Sequence, residues 1–279
     1  MKIYKSIKGF QDWRKTQPGT TIGFVPTMGA LHDGHLSLIK QSKGQCKITV
    51  VSIFVNQLQF GPNEDFEKYP RTLDHDLICL NDIKIDVLLL PSSLEIYNKK
   101  FNFEVYESQI SKKLEGRSRP NFFSGVTTIV SKLFNIVQPT HAYFGMKDIQ
   151  QLCIIKKMVT DLNYNIQICG GSTVRDQNGL ALSSRNKYLS SAEQKQASVL
   201  YNTLILGAQL IKEKENYDFI YKAMMKKINS QPNIKIDYLS IASLNDFKEL
   251  KDNVQKSNLV ISGAIYINKV RLIDNVTIL

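Results

Sequence analysis

Two of the chain's four histidines, His32 and His35, lie three residues apart in the stretch PTMGALHDGHLSLI, between an apolar segment and one with helical spacing. The first backbone N–H groups and the dipole of such a helix favour an anion. Gly34 lets the backbone approach a ligand closely, and the imidazoles add donors suited to the charge of a triphosphate. The stretch alone predicts a phosphate site, with an ordinary helix cap as the main alternative. A metal pair is less favoured because no third ligand lies nearby in the sequence.

Alternating strands and helices would position these histidines. TIGFVPTM and CKITVVSIFVN are apolar and β-branched, as buried strands are, and HLSLIKQSK between them has helical spacing. The order repeats, with strands at KIDVLLLP, THAYFG and NIQICGG and helices at TLDHDLICLNDI, SGVTTIVSKLFNIVQ and DIQQLCIIKKMVTDL. The alternation predicts an α/β fold: a Rossmann-like, doubly wound parallel sheet in a nucleotide- and substrate-binding domain over residues 1–174.

The pattern changes over residues 175–279. A long segment beginning SAEQKQ predicts two helices, with Ser190 or Ser191 as the N-cap and Glu193 in the first turn. Short alternating strands follow, in IKIDYLSIAS and in the last residues of the chain. We therefore predict a smaller C-terminal α+β domain.

Ligands of doubly wound sheets bind beyond the carboxyl ends of the strands. Four polar, glycine-bearing segments follow predicted strands there: the histidine stretch, FVNQLQFGPNED, YFGMKDIQQ and VRDQNGLALSSRN. Their convergence indicates a single site more strongly than any one of them does.

Composition limits the partners and the compartment. The net charge of +11 favours an anionic partner, which could be a nucleotide, a carboxylate or a nucleic acid. The 4 cysteines are far apart, without metal-ligand spacing, as expected for reduced thiols in a cytoplasmic protein. We expect no membrane span and no signal peptide, because no apolar run is long enough for the first and the N-terminus lacks the apolar stretch of the second.

The run VPTMGALHDGHLSLI resembles the signature of the pantoate–β-alanine ligase family, within the HxGH nucleotidyltransferase superfamily that includes the class I aminoacyl-tRNA synthetases. Similar segments follow in the family's order, at VVSIFVNQLQF, YPRTLDHD, GRSRPNFFSGVTTIVSKLFNIVQP, YFGMKDIQQL and NGLALSSRN, and RLIDN near the C-terminus also matches. The resemblance covers about residues 23 to 190 and the RLIDN segment.

This resemblance implies an ATP-dependent, AMP-forming enzyme of pantothenate and coenzyme A biosynthesis. The carboxylate of (R)-pantoate would attack the α-phosphate of ATP, and the amine of β-alanine would then attack the pantoyl adenylate. The family further implies Mg²⁺, a cytoplasmic homodimer, and a C-terminal domain that covers the active site. It implies no nucleic-acid or membrane partner.

Roles for individual residues follow from the same resemblance. The implied ATP contacts are Met28, Gly29, Ala30, Leu31, His32, Asp33, Gly34, His35, Gly145, Met146, Lys147, Asp148, Val174, Leu182, Ser183, Ser184 and Arg185. Six of these residues are also implied to act in catalysis: His32, His35, Lys147, Ser183, Ser184 and Arg185. His35 is the family's proposed proton donor, and stabilisation of charge is an equal alternative for it. The implied pantoate ligands are Asn56, Gln59 and Gln151.

Two positions depart from the family pattern: Met146 replaces a residue that is often polar, and Gln57 replaces a frequent proline. Arg117 and Arg119 are predicted to lie in a loop that contributes to closure or to a dimer contact, and Arg71 to be structural. The residues Asp74, His75 and Asp76 are predicted to form an incidental exposed cluster, because adjacent residues of a helix face different directions.

Two other functions remain open at this point. A related adenylyl- or cytidylyltransferase would keep the two histidines but would differ from Gln59, Gln151 and the SSRN segment. An RNA-binding module would use the net charge, and its affinity for nucleic acid would fall steeply with salt.

Overall fold

The computed structural model describes residues 1–62, 64–252, 254 and 257–279. The chain forms two compact units. The first comprises residues 1–108, 119–146 and 151–172, and the second comprises residues 109–118, 147–150 and 173–279. The second unit therefore includes two short segments that precede the boundary predicted at residue 174.

Strands and helices are numbered along the described part of the chain. The strands are β1 (Lys2–Tyr4), β2 (Ile22–Thr27), β3 (Ile48–Ile53), β4 (Val87–Leu89), β5 (His141–Gly145), β6 (Gln167–Gly171), β7 (Ile234–Ser243), β8 (Leu259–Ile267) and β9 (Val270–Ile278). The helices are α1 (Ile7–Lys15), α2 (Asp33–Gln45), α3 (Leu73–Asp82), α4 (Ser93–Ile96), α5 (Glu115–Ser118), α6 (Phe122–Val137), α7 (Ile149–Asp161), α8 (Ser191–Ala197), α9 (Val199–Lys212) and α10 (Tyr217–Asn229).

The first unit is built on a parallel sheet. Its strand order within the described residues is β1-β4-β3-β2-β5-β6. Strands β2 and β3 are mostly apolar and are buried along most of their length, because helices cover both faces of such a sheet. Helix α6, which packs on β2, is buried along most of its length, in keeping with its apolar sequence. The predicted fold class is confirmed.

The strand order reverses between β2 and β5. Strand β2 pairs with β3 on one side and with β5 on the other, with Gly23 opposite His141. The carboxyl ends of neighbouring strands at this reversal form the crevice in which doubly wound sheets bind ligands. The carboxyl ends of β3, β2 and β5 therefore lie side by side in the first unit.

The second unit is built on an antiparallel sheet, in the order β7-β8-β9, on which α9 and α10 pack. Its core includes Leu204, Met224 and Ile261, all of them fully buried. The predicted N-cap lies at Ser190, whose hydroxyl and Glu193 form a capping box. The segment predicted as two helices contains α8, α9 and α10.

Within the described residues, the structure has no helix that combines the length and the apolar character needed to cross a membrane.

Candidate active site

The turn between β2 and α2 contains the predicted nucleotide contacts Met28–His35. Gly29 and Ala30 have φ angles of 79° and 50°, in the left-handed region. The φ angle of Gly29 favours glycine, and a Cβ atom there would also make a tight contact of 3.0 Å with a carboxylate oxygen of Asp76. Ala30 adopts its conformation at an energetic cost, and other contacts must therefore hold the turn.

Asp76 of α3 provides those contacts. Its carboxylate accepts the backbone N–H of Ala30 at 2.9 Å and that of Leu31 at 2.8 Å, and its side chain is 1% exposed. The prediction of an exposed cluster is therefore wrong for Asp76. Asp74 and His75 are exposed, while the next residue along the helix points inward. Asp76 is thus a structural support of the nucleotide turn.

A second support is the hydroxyl of Thr27. It donates to the carbonyl of Ser52 in β3 at 2.8 Å and accepts the N–H of Gly29 at 3.2 Å. The backbone N–H groups of Gly29, Ala30 and Leu31 are therefore all bonded to protein acceptors. The turn can therefore contact a ligand through its side chains and through its remaining backbone groups.

His32 is both the N-cap of α2 and a donor. Its Nδ1 accepts the N–H of Gly34 at 3.2 Å. An imidazole that accepts at Nδ1 carries its proton on Nε2, and this N–H can donate to a phosphate oxygen. The ring of His35 lies beside it, with 4.1 Å between the ring centroids. The sequence left a helix cap and a phosphate site as alternatives for this stretch. The structure shows that His32 can serve in both roles.

Asn56 and Gln59 lie beyond the end of β3. Asn56 is 1% exposed, and its Nδ2 donates to Oε1 of the half-buried Gln59 at 2.9 Å. Residues Gln57–Gln59 form a short 3-10 turn that packs closely on α6 at Gly125, where a Cβ atom would lie 2.2 Å from the carbonyl oxygen of Leu58. The two predicted substrate ligands are therefore in contact with each other on a rigid support.

Arg119 also supports this loop. Its guanidinium donates to the carboxylate of Glu64 and, at 3.2 Å, to the carbonyl of Gln59, and it lies 3.8 Å from the ring centroid of Phe122. Arg117, by contrast, belongs to the second unit and pairs there with Glu249. Their predicted roles in closure or dimer contact stay predictions.

Gly145 ends β5, and Met146–Asp148 form a 3-10 turn before α7. Lys147 is half-buried, with its Nζ 3.8 Å from a carboxylate oxygen of Asp148. In the second unit, the carbonyl of Lys147 accepts a bond from the side chain of Asn275 at 2.8 Å. The backbone that carries the lysine is therefore fixed to β9.

The two glutamines at the start of α7 have different environments. Gln150 is 5% exposed and donates to the carbonyls of Ile110 at 2.9 Å and Lys113 at 2.8 Å, which makes it a structural residue of the second unit. Gln151, the predicted pantoate ligand, is half-buried.

Val174 and Leu182, predicted to contact the nucleoside, face each other across a hairpin, where the N–H of Leu182 donates to the carbonyl of Val174 at 2.9 Å. The guanidinium of Arg175 makes two bonds to Asp274, at 2.5 Å and 3.0 Å, and stacks on the ring of Tyr201. Bidentate pairs of this kind fix geometry as well as adding energy.

The hairpin leads directly to the predicted phosphate clamp. Ser183 caps the 3-10 helix Ser184–Tyr188, and its hydroxyl accepts the N–H of Arg185 at 3.3 Å. Ser184 is buried and Arg185 is half-buried. A capped turn and a clamp are again roles that the same residues can combine.

Asp274 and Asn275 connect two of these segments. They are neighbours on β9, and they bind Arg175 and the carbonyl of Lys147, respectively. The second unit thereby places the Lys147 segment and the Val174–Arg185 segment on one strand. The RLIDN sequence was the signal for this support, although its role could not be inferred from the sequence.

The fold and the site together define a nucleotide-binding α/β protein of the HxGH class. A parallel sheet reverses its strand order between β2 and β5, and a turn with two adjacent imidazoles lies at the reversal.

Comparisons with known proteins identify the family within this class. The model of the pantoate-beta-alanine ligase family matches residues 2–277. The chain is 46% identical to a pantothenate synthetase of Carboxydothermus hydrogenoformans over 99% of the chain and 98% of that protein. The chain belongs to the pantoate–β-alanine ligase family, and it is an enzyme.

Solved structures agree with this assignment. The crystal structure of pantothenate synthetase from Thermus thermophilus matches with a TM-score of 0.93 at 38% identity, covering 99% of both chains. A pantoate-beta-alanine ligase from Francisella tularensis, complexed with beta-gamma ATP and beta-alanine, matches with a TM-score of 0.80 at 40% identity, covering 99% of this chain and 97% of that one.

Proposed function

We propose that the chain condenses (R)-pantoate with β-alanine at the expense of ATP, giving pantothenate, AMP and pyrophosphate, as a step of coenzyme A biosynthesis. The observation that carries this proposal is the turn Met28–His35, which lies at the switch point of a nucleotide-binding sheet and holds two adjacent imidazoles. The family match over residues 2–277 supplies the substrate class.

The reaction has two steps. A carboxylate oxygen of pantoate attacks the α-phosphorus of ATP, the bond to the bridging oxygen breaks, and pyrophosphate leaves. The amine of β-alanine then attacks the acyl carbon of pantoyl adenylate, the C–O bond to AMP breaks, and the amine nitrogen loses a proton. The protein's main contributions are positioning and stabilisation of charge.

The two histidines act on the phosphates. Nε2–H of His32 donates to a phosphate oxygen, since its Nδ1 is occupied by the helix cap. His35 lies beside it and stabilises the charge that develops on the leaving pyrophosphate, with proton donation as a further role. Of the other turn residues, Met28, Asp33 and Gly34 contact the nucleotide, and the buried Gly29, Ala30 and Leu31 form the base of the nucleotide-binding turn.

The cationic and hydroxyl groups of the second unit stabilise the remaining phosphate charge. Lys147 acts as a compact point charge, and Arg185 offers a planar set of donors beside Ser183 and Ser184. We assign contacts with the nucleotide to Gly145 and Met146, and contacts with its adenosine part to Val174 and Leu182. In this proposal the C-terminal domain covers the active site.

Amide groups bind the hydroxy acid. Gln59 and Gln151 can each donate and accept hydrogen bonds, which suits a substrate with hydroxyl and carboxylate groups. Asn56 is buried and bonded to Gln59, so its role is to hold that ligand.

Use of ATP implies Mg²⁺. Among the residues that the structure describes, no group of three or more His, Cys, Asp or Glu side chains could hold a metal ion. This fits Mg²⁺ that would be held through phosphates and water, as is usual for this ion, and Asp148 would contact either its water ligands or the ribose of the nucleotide. When bound, Mg²⁺ neutralises phosphate charge.

We further propose that the chain is a cytoplasmic homodimer. Light scattering after gel filtration would test the dimer.

The test is an assay of AMP release by the purified chain with ATP and Mg²⁺. We expect AMP release only when pantoate and β-alanine are both present at steady state, and ATP–pyrophosphate exchange with pantoate alone. Release of AMP that does not respond to β-alanine would reject the proposal, as would activity with CTP in place of ATP.

A further inference from the structure

The buried amide of Asn56 is bonded on every side. Its Nδ2 donates to the carbonyl of Gly125 at 3.0 Å and to Oε1 of Gln59 at 2.9 Å, while its Oδ1 accepts the hydroxyl of Tyr97 at 2.6 Å. These residues belong to three separate parts of the first unit: the turn after β3, α6, and the end of α4. The amide is therefore fixed by groups that are distant in sequence.

The carbonyl of Gly125 determines the direction of the whole chain of bonds. A backbone carbonyl can only accept, so the NH2 group of Asn56 must face it. The oxygen of Asn56 then faces Tyr97, whose hydroxyl must donate. The second N–H of Asn56 can only be matched by the oxygen of Gln59. It follows that the oxygen of the Gln59 amide faces Asn56 and that its NH2 group takes no part in these bonds.

Tyr97 is held by aromatic packing. Tyr97 is 9% exposed, and its ring centroid lies 6.0 Å from that of Phe54 and 5.0 Å from that of Phe101. The ammonium of Lys132 lies 4.6 Å from the centroid of Phe101, on the same cluster. Burial raises the pKa of the Tyr97 hydroxyl, so this group keeps its proton and remains a donor.

We propose that Tyr97 is a positioning residue which acts through Asn56 to hold Gln59 with its NH2 group directed at the substrate. The NH2 group of Gln59 then favours a substrate oxygen that accepts hydrogen bonds, such as a carboxylate or hydroxyl oxygen of a hydroxy acid. It disfavours a substrate group that can only donate. This inference rests on the proposed function, in which Gln59 binds pantoate.

Tyr97→Phe removes only the hydroxyl and leaves the ring packing in place. We expect a roughly tenfold rise in the KM for pantoate, the scale of one hydrogen bond, with the KM for ATP and kcat nearly unchanged. The matched control is Tyr143→Phe, which removes another buried hydroxyl, bonded to Gln45 at 2.9 Å. That variant should leave the KM for pantoate unchanged.

A double-mutant cycle separates positioning from general destabilisation. If Tyr97 acts through Gln59, adding Tyr97→Phe to Gln59→Ala raises the KM for pantoate no further. Additive effects, or equal KM changes for pantoate and ATP, would overturn the inference. A wild-type chain with no pantoate-dependent activity would instead reject the proposed function.

Gln59→Glu tests the direction of the amide without altering Tyr97. It keeps an oxygen facing Asn56 and replaces the outer NH2 group by an acceptor. We expect its KM for pantoate to exceed that of Gln59→Ala, because an acceptor then faces the substrate oxygens. A KM at or below that of Gln59→Ala would contradict the assigned direction.

Discussion

Asp76→Asn is the substitution that most directly tests how the nucleotide turn is held. The carboxylate accepts the N–H groups of Ala30 and Leu31, one on each oxygen. Asparagine is nearly the same size but has one oxygen and one NH2 group. One backbone N–H therefore loses its acceptor and faces another donor.

The lost contact should lower either the stability of the chain or its turnover. A hydrogen bond to a charged group contributes about 1.5–3 kcal/mol, and a buried donor without an acceptor costs about 1–3 kcal/mol. Because Asp76 is 1% exposed, water cannot replace the lost acceptor. We expect the free energy of unfolding to fall by about 3 kcal/mol, unless the turn rearranges locally. Local rearrangement would displace His32 and His35, and turnover would then fall at least tenfold, a barrier increase of about 1.4 kcal/mol.

Urea unfolding followed by circular dichroism measures the first quantity, and AMP release measures the second. The matched control is Asp74→Asn, at an exposed position of the same helix, which should change the free energy of unfolding by less than about 0.5 kcal/mol. Wild-type stability together with wild-type turnover in Asp76→Asn would refute the assigned role of Asp76.

Single substitutions test the roles of His35, Gly125 and Glu193. His35→Ala should lower the rate of adenylate formation by about 10² to 10⁴ without changing the circular dichroism spectrum, and wild-type turnover would contradict its role. Gly125→Ala places a Cβ atom 2.2 Å from the carbonyl oxygen of Leu58, and should destabilise the chain by about 1–3 kcal/mol; an unchanged urea midpoint would be evidence against this contact. Hydrogen bonds from the hydroxyl and the backbone N–H of Ser190 lower the pKa of Glu193. The ionised Glu193 therefore stabilises the folded chain above the ordinary pKa of about 4.3, and this stabilisation is lost as the pH falls through the lowered pKa. The difference in Tm between wild type and Glu193→Gln should therefore shrink below about pH 4, and a constant difference would count against the capping box.

The sheet of the first unit could be predicted because its strands and helices have different apolar periods. Strands such as β3 are apolar on both faces, while α2 and α7 repeat with helical spacing. Strand β1 could not be predicted in this way. It is short and exposed, and its order comes from pairing with β4, more than 80 residues away. The separation of α8 from α9 at Ser198 likewise leaves no clear signal in the sequence.

The residues of the nucleotide turn could be predicted from the sequence, but the contacts that hold the turn in place could not. His32, Gly34 and His35 are adjacent in the chain, so their spacing could be interpreted directly. The hydrogen bond that the N–H of Leu31 donates to Asp76 joins residues that are 45 positions apart, and only the folded chain shows that Asp76 points inward. Tyr97 was missed for the same reason, because its contact with Asn56 spans 41 positions.

In the proposed reaction, an oxygen of the pantoate carboxylate becomes bonded to the α-phosphorus of ATP. Pantoate labelled with ¹⁸O in its carboxylate tests this directly, by mass spectrometry of the products. We predict one ¹⁸O atom in each AMP molecule and none in pyrophosphate, because the C–O bond of pantoyl adenylate breaks in the second step. Unlabelled AMP, or label in pyrophosphate, would contradict the account.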